Sequence, residues 1–529
     1  MFTDKACTNA TSDDIVCQIA TLAPPGTPIT PAIAKQLQDA TQALIAVFKA
    51  DGKLDQSPMA LAMKRTVDLH REVAEKRLKG QRVLVTGGAG CVGSHLIPLL
   101  FELGAMEISI VDTAVKLDSI DQGGTTADSS PRRQLAAYQV DVRDTAALDA
   151  VFDQVKPDIV FHLASIREPG RAEAVVREAI ETNVFGTRNV IDACLRHGVE
   201  DAIYSSTGKC FAYVSDHVYT GSKKLAEAQW AAAARRSDTT RFRCTRFTHV
   251  MENGVVTQDI LDGIASGLVG LHGPDRYFNI QNLRQAGHLL VNALALADQT
   301  PADGFWSAVD LGWPVNTLEL ALYHIEHGDK LAALHFLGVP KGYDEAFFRG
   351  QFCWGGETAY HPLINALETP SGFGDRSGTM VGARVQPFSE DALLIELEIL
   401  KKALGDNTLD VFSVKEALVQ AVIGLARSIF AAASLSRLID VLWSGAAPTW
   451  AGASACEAKR FEVVIRLLTG TVIAKLRQAT GPMSMETRQK LREVNQTLSQ
   501  IPSFAAHSRS LVTLLEGLGE TVSMKPAFS

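Results

Sequence analysis

The apolar positions of this chain follow two regimes. Between Gln81 and about Arg246, short runs rich in Val, Ile, Leu and Phe alternate with stretches of helical spacing; the runs are RVLVTG, EISIVD, LAAYQVDV, DIVFHLAS, DAIYSST and FRCTRFT. Runs of this length bounded by glycine or polar residues read as strands buried on both faces. Their alternation with helices implies right-handed crossovers and a doubly wound parallel sheet of the α/β class, with ligands at the carboxyl ends of the strands. Outside this core the period changes to that of a helix. A Pro-rich LAPPGTPITP precedes AIAKQLQDATQALIAVF and MALAMKRTVDLHREVAEKRL, which predict a helical extension over residues 1–80. After about Leu409, VKEALVQAVIGLARSIF, EAKRFEVVIRLLTGTVIAKLRQ and METRQKLREVNQTLSQI predict a small helical bundle, within an extension over residues 405–529. The spacing accounts for most residues of both extensions without chemistry, so packing or subunit contact is their expected role. The stretch DQGGTTADSSPRRQ reads as a surface loop.

At 529 residues the chain is too long for one ordinary core. A 46% hydrophobic and 21% charged composition is that of a globular protein, and a net charge of -8 without any basic block argues against nucleic acid as the main partner. The eight cysteines form no CxxC pair, so neither a metal site nor a disulfide framework is expected, and a reducing cytoplasm fits best. The start, MFTDKACTNATSDD, carries acids and no apolar core, unlike a secretory signal. The most apolar late stretch, Ala417 to Trp443, is interrupted by Arg427, Arg437 and Asp440, and reads as a packed helix rather than a membrane span.

The first strand breaks into TGGAGCVGSHL. Gly87, Gly90 and Gly93 allow a tight turn, a close backbone approach to a pyrophosphate and close helix-on-strand packing, with Cys91 and Val92 at a helix N-terminus aimed at negative charge. Asp112, at the end of ISIVD, can accept hydrogen bonds from both hydroxyls of an adenosine ribose, which favours NAD over NADP. A 2′-phosphate would be repelled there, although Lys116 and the Arg132-Arg133 pair could offset the repulsion. The alternative reading of Asp112 is a strand-end cap.

In order after the glycine turn come DVRD (Asp141 to Asp144), VFHLAS, TNVFGTRNV, SSTGK and YTGSK. With the turn, these six motifs resemble an extended short-chain dehydrogenase/reductase of the NAD-dependent epimerase/dehydratase superfamily. EAIETNVFGT, the STxK form of the serine/threonine motif and GPDRYFNI are similar to its polysaccharide-biosynthesis (CapD-like) branch, as are DLGWPVNTLELA and ETAYHPLINALE. The resemblance covers roughly Lys79 to Leu404. It implies a Rossmann-like fold with a small substrate domain, of which residues 81–250 mainly bind NAD and 251–404 mainly bind substrate. A nucleotide sugar is the implied substrate. In the family the helix carrying the catalytic tyrosine usually packs against its counterpart, so a homo-oligomer is expected, and the added helical ends could extend or block that contact.

Tyr219 and Lys223 are four apart on a predicted helix and share one face. A lysine ammonium beside a phenol favours the phenolate, which would make Tyr219 a usable base near neutral pH. By the resemblance, Tyr219 takes the proton of a sugar hydroxyl, Thr207 hydrogen-bonds that hydroxyl, and Lys223 also holds the nicotinamide ribose. The resemblance also places Asp141 and Val142 at the adenine, Leu163, Ala164 and Ser165 along the cofactor, and Asn183 in the network beside it; the alternative for Asn183 is a helix-interior cap.

Three departures bear on the reaction. The branch's dehydratases carry Ser-Thr-Asp-Lys, whose Asp is the acid for loss of the C6 hydroxyl. Here Ser206-Thr207-Gly208-Lys209 lacks that acid and keeps Lys209, the residue that helps remove the C5 proton. Asp216 or His217 could substitute. Epimerisation is therefore favoured over dehydration by a relocated acid, over net oxidation of a non-nucleotide polyol or secondary metabolite, and over a non-catalytic binding protein. The family's Arg-Tyr-Gly-Asn-Val becomes Arg246-Phe247-Thr248-His249-Val250, and its Lys-His pair becomes Arg167-Glu168. His249 and Arg167 thus become candidate substrate ligands, joined by Arg276, whose fork suits a diphosphate and whose alternative is a structural salt bridge.

Overall fold

The computed structural model describes residues 11–115, 134–251, 255–352, 361–447, 455–479, 481 and 483–517. The loop expected over Asp121 to Gln134, the basic groups Lys116, Arg132 and Arg133, and the start of ETAYHPLINALE lie wholly or almost wholly outside the described residues.

Each apolar run of the central region becomes a strand. They are β1 (Arg82–Thr86), β2 (Glu107–Val111), β3 (Gln134–Tyr138), β4 (Ile159–His162), β5 (Asp201–Thr207) and β6 (Arg241–Phe247). Two helices matter for the site, α1 (Cys91–Glu102) after β1 and α2 (Val218–Arg236) after β5. The sheet continues with β7 (Gly304–Ala308), β8 (Phe373–Gly374) and β9 (Met380–Arg384). The strand order is β8-β9-β7-β6-β5-β4-β1-β2-β3. From β3 to β6 this is the 3-2-1-4-5-6 order of a Rossmann-like sheet, with parallel pairing of β1 to both β2 and β4. Val83, Leu84, Val85, Val160 and Phe161 are fully buried, as expected for strands covered on both faces. The strand order reverses between β1 and β4, so the crevice at their carboxyl ends is the expected ligand site.

The chain divides into two compact units. The larger contains Leu69–Arg246, Leu289–Val309 and the chain from Glu345 on; its core runs from the sheet into the carboxy-terminal helices. Helices α3 (Glu390–Gly405) and α4 (Val411–Ala432) belong to it, and α4 packs along α2. A β-carbon on Gly221 of α2 would sit 3.3 Å from Val422 and 3.4 Å from Leu418, so the small residue lets the two helices approach closely. Lys415 of α4 pairs with Glu173 at 2.6 Å, and Glu173 in turn accepts the Val218 N–H at the start of α2. The stretch from Ala417 to Trp443 forms α4 and a second helix, Leu435–Ala446. Among the described residues no helix is long and apolar enough to cross a membrane.

The smaller unit contains the chain through Asp68 with Phe247–His288 and Asp310–Asp344. Helices Ser12–Leu22 and Pro31–Ala50 place Ile15, Ile19, Leu37, Leu44 and Phe48 in one core with Val269, Leu271, Leu320, Leu334 and Phe336. Thr41 joins them, accepting the Leu334 N–H at 2.9 Å. The amino-terminal helices thus form part of the wall of this unit.

Candidate active site

The glycine turn is built for close approach. Gly87 has φ +71°, which a side chain disfavours, and a β-carbon there would lie 2.6 Å from the Ala164 backbone nitrogen. Gly93 packs α1 onto Gly88, where a β-carbon would meet the Gly88 carbonyl oxygen at 2.5 Å. Gly90 caps α1 with no side chain covering the N-terminus, and Cys91 and Val92 form its first turn. The Asp112 carboxylate at the end of β2 accepts the Ala89 N–H at 3.1 Å and the Ala114 N–H at 3.0 Å. It therefore caps the turn, and stands at the strand end where a ribose would be met. These features together fit a dinucleotide: bare backbone at a helix N-terminus, a cradle that any β-carbon would fill, and a carboxylate at the next strand end.

Asp141 is engaged by Arg143; burial alone would raise its carboxyl, but the arginine's hydrogen bonds hold it below the usual range. The carbonyl of buried Val142 accepts the Asn189 amide at 2.9 Å. Leu163 continues from β4 by donating its N–H to the Thr86 carbonyl, and Ala164 and Ser165 follow in the half-buried loop. Asn183, 1% exposed in a wide helical turn, clamps that loop from both sides. Its oxygen accepts the Ile166 N–H at 2.8 Å, while its amide donates to the Ile166 carbonyl and to Ser222 of α2 at 3.0 Å each. It links the β4 loop to the helix that carries Tyr219.

Thr207 ends β5 with its hydroxyl accepting the Lys209 N–H, and it lies close enough to the Tyr219 phenol to act on its charge. Lys223, one turn further along α2, is fully enclosed; it donates to the Ser205 carbonyl at 2.8 Å and lies 4.4 Å above the Tyr204 ring. The electrostatics differ from the expectation. Burial pushes the phenol of Tyr219 up to about 12, with Thr207 and the nearby charge of Arg167 working against it. Burial pushes Lys223 down to about 8. Desolvation outweighs mutual assistance because the lysine's nitrogen is turned to a carbonyl and a ring face.

Two residues at this site were not singled out from the sequence, although one lies within VFHLAS. His162 at the end of β4 lies between the Thr86 and Thr187 hydroxyls at 2.7 and 3.0 Å, and burial pushes it down to about 3. Thr187 donates to the Asn183 carbonyl, so it accepts from Nε2 of a neutral histidine. Glu345, its side chain 5% exposed, accepts from Lys209 Nζ at 2.9 Å, from the Thr220 hydroxyl at 2.7 Å and from the Ser215 hydroxyl. Its charge also reaches Tyr219.

A β-carbon on Gly208 would lie 2.1 Å from Leu363 Cδ2, so Leu363 occupies the place where a dehydratase acid would stand. His361 holds Leu363 there: its Nε2 faces the Ala308 carbonyl at 2.9 Å and its Nδ1 accepts the Leu363 N–H. Asp216 points outward, 66% exposed, and pairs with His217 Nδ1 at 2.9 Å. Below the site, Arg246 is enclosed between Glu227 and Glu368 at 2.6 and 2.7 Å. In the smaller unit, His249 stands edge-on to Phe278 and Arg276 donates to the Tyr343 carbonyl at 2.8 Å.

Residues 83–331 match the family described as polysaccharide biosynthesis protein. A UDP-glucose 4-epimerase of Caenorhabditis elegans is 30% identical over 139 residues, 25% of this chain and 40% of that protein. An inverting UDP-N-acetylglucosamine 4,6-dehydratase of Campylobacter jejuni is 31% identical over 175 residues, 32% of this chain and 50% of that protein. The matched segment belongs to the extended short-chain dehydrogenase/reductases. The chain spans less than two thirds of the length of the first curated relatives it matches. Among solved structures, the UDP-glucose 4-epimerase of Thermus thermophilus in complex with NAD is 22% identical, with a TM-score of 0.42, covering 50% of this chain and 88% of that one. The motifs from TGGAGCVG to YTGSK all fall within the larger unit.

Proposed function

We propose that this protein is an NAD-dependent nucleotide-sugar epimerase that acts through transient oxidation of a sugar hydroxyl to a ketone. The observation that carries the choice of reaction is the packing of Leu363 against Gly208 beside the Thr207–Tyr219 pair. A base and its hydroxyl partner are present, while the acid needed to expel water is replaced by a methyl group. The relatives supply the reaction class, and this packing favours the epimerase over the dehydratase within it.

Held by the glycine turn and Asp112, NAD would supply reversible hydride chemistry at the sugar carbon. The chain's own groups do the rest. Thr207 holds the reacting hydroxyl against Tyr219, which takes its proton and later gives it back. Lys223, as an ammonium, favours the phenolate during that exchange and binds ribose hydroxyls. Asp112 favours a ribose with a free 2′-hydroxyl, hence NAD. Arg167 faces Tyr219 closely enough to act on its charge and is proposed as a substrate ligand. His249 and Arg276 are proposed for the substrate as well, Arg276 for its diphosphate. The whole protein is proposed to work in the cytoplasm as a homo-oligomer.

The test is incubation with a panel of UDP-, GDP- and dTDP-sugars, followed by chromatography and mass spectrometry. An isomer of unchanged mass is expected. A product lighter by one water would establish dehydration, and stoichiometric NADH release would establish net oxidation.

A further inference from the structure

The Ser-Thr-Gly-Lys turn and the buried Glu345 are 136 residues apart in sequence and in direct contact in the fold. Lys209 Nζ donates to Glu345 Oε2 at 2.9 Å, and the same oxygen takes the hydroxyl of Thr220, the residue after Tyr219. The other carboxylate oxygen takes Ser215. Three donors converge on one carboxylate that is 5% exposed, while the lysine end of the pair is 30% exposed and open to a ligand. An ammonium that donates to a carboxylate has no lone pair with which to take a proton from carbon. To remove a proton beside a transient ketone, Lys209 would have to give up this bond and turn its nitrogen away from Glu345.

We propose that Glu345 is a positioning residue that fixes the Lys209 amine by direct hydrogen bonding, so that Lys209 grips an oxygen of the substrate and does not act as a carbon base. The inference rests on the epimerase reading above and deepens it. The C–H bond next to the ketone stays intact, its electron pair never enters an enolate, and inversion is confined to the carbon that exchanges hydride. Glu345 also ties the turn after β5 to the first turn of α2, so the groups on either side of Thr207 and Tyr219 move as one body.

Two measurements test this. The first needs no substrate: trace acetylation of the full-length protein with acetic anhydride at pH 8, with Lys209 followed by peptide mass spectrometry against exposed Lys35. Glu345→Gln is expected to raise the relative labelling of Lys209 at least about twofold, because its nitrogen loses the carboxylate that holds it. Glu345→Asp, which keeps the carboxylate, is expected to restore low labelling. An unchanged Lys209 rate in Glu345→Gln overturns the proposal. A variant that had merely loosened would also label buried Lys223 and Lys224, and Glu345→Asp then decides: labelling of Lys209 no slower than that of Lys35 counts against the pairing.

The second is turnover in heavy water. Isomerised sugar without carbon-bound deuterium is expected from the wild type. One deuterium beside the inverted carbon overturns the role of Lys209 while leaving the epimerase reading intact. Absence of any isomer, with the labelling response present, overturns the epimerase reading and leaves the Lys209–Glu345 pair standing.

Discussion

Lys223→Met is expected to remove turnover and, at neutral pH, to make the protein more stable. The lysine is 2% exposed, and burial has brought it from the ordinary 10.5 to about 8. At about 1.4 kcal/mol per pH unit, keeping it charged in the folded state at pH 7 costs about 3 kcal/mol. Its bond to the Ser205 carbonyl and its place above Tyr204 return part of this, about 1–2 kcal/mol together. Methionine fills a similar volume without charge, so a net gain of about 1–2 kcal/mol is expected at pH 7. For a unit of this size that is a rise of about 1–2 °C in Tm. The sign with pH follows from proton counting. Between about pH 8 and 10.5 the unfolded chain still holds the lysine's proton while the folded state has lost it, so wild-type stability rises with pH across that window. The variant lacks this group, and its advantage should therefore vanish by about pH 10. Calorimetry of both proteins at pH 7 and pH 10 reads the difference. A variant less stable than wild type at pH 7, or one with the same advantage at both pH values, would refute the reasoning.

Gly87→Ala puts a β-carbon against the Ala164 backbone at a left-handed φ, and is expected to weaken NAD binding at least about tenfold in calorimetric titration. Arg246→Met leaves Glu227 and Glu368 buried without their cation, and should cost about 3–5 kcal/mol in denaturant unfolding. Gly208→Asp drives a side chain into Leu363 and should destabilise by about 1–3 kcal/mol in the same assay, with much of the loss recovered in Gly208→Asp/Leu363→Ala. Equal stability of the single and double variants would show that Leu363 does not fill that space.

The parts of the fold carried by short-range pattern were legible in the sequence. The runs from RVLVTG to FRCTRFT are strands because short apolar runs bounded by glycine or polar residues leave little alternative, and Gly87 marks its own left-handed turn. Tyr219 and Lys223 were legible because four residues make one helical turn. What stayed hidden depends on residues distant in sequence. Nothing near SSTGK announces that Glu345 closes onto Lys209, or that Leu363 covers Gly208. The amino-terminal helices were readable as helices, whereas their sharing of a core with Leu334 and Phe336 was not. Gly221 gave no sign that α4 would pack upon it. The charge states of Tyr219 and Lys223 also escaped, because spacing measures proximity and says nothing of desolvation.

The central claim is that this site inverts a sugar carbon through a ketone without losing water. It is tested most directly by incubating the purified protein with NAD and the sugar-nucleotide panel in heavy water, and reading product mass and carbon-bound deuterium together. The account predicts an isomer of unchanged mass carrying no carbon-bound deuterium, and none from Tyr219→Phe. A product lighter by one water would contradict it, because Gly208 and Leu363 leave that elimination without its acid.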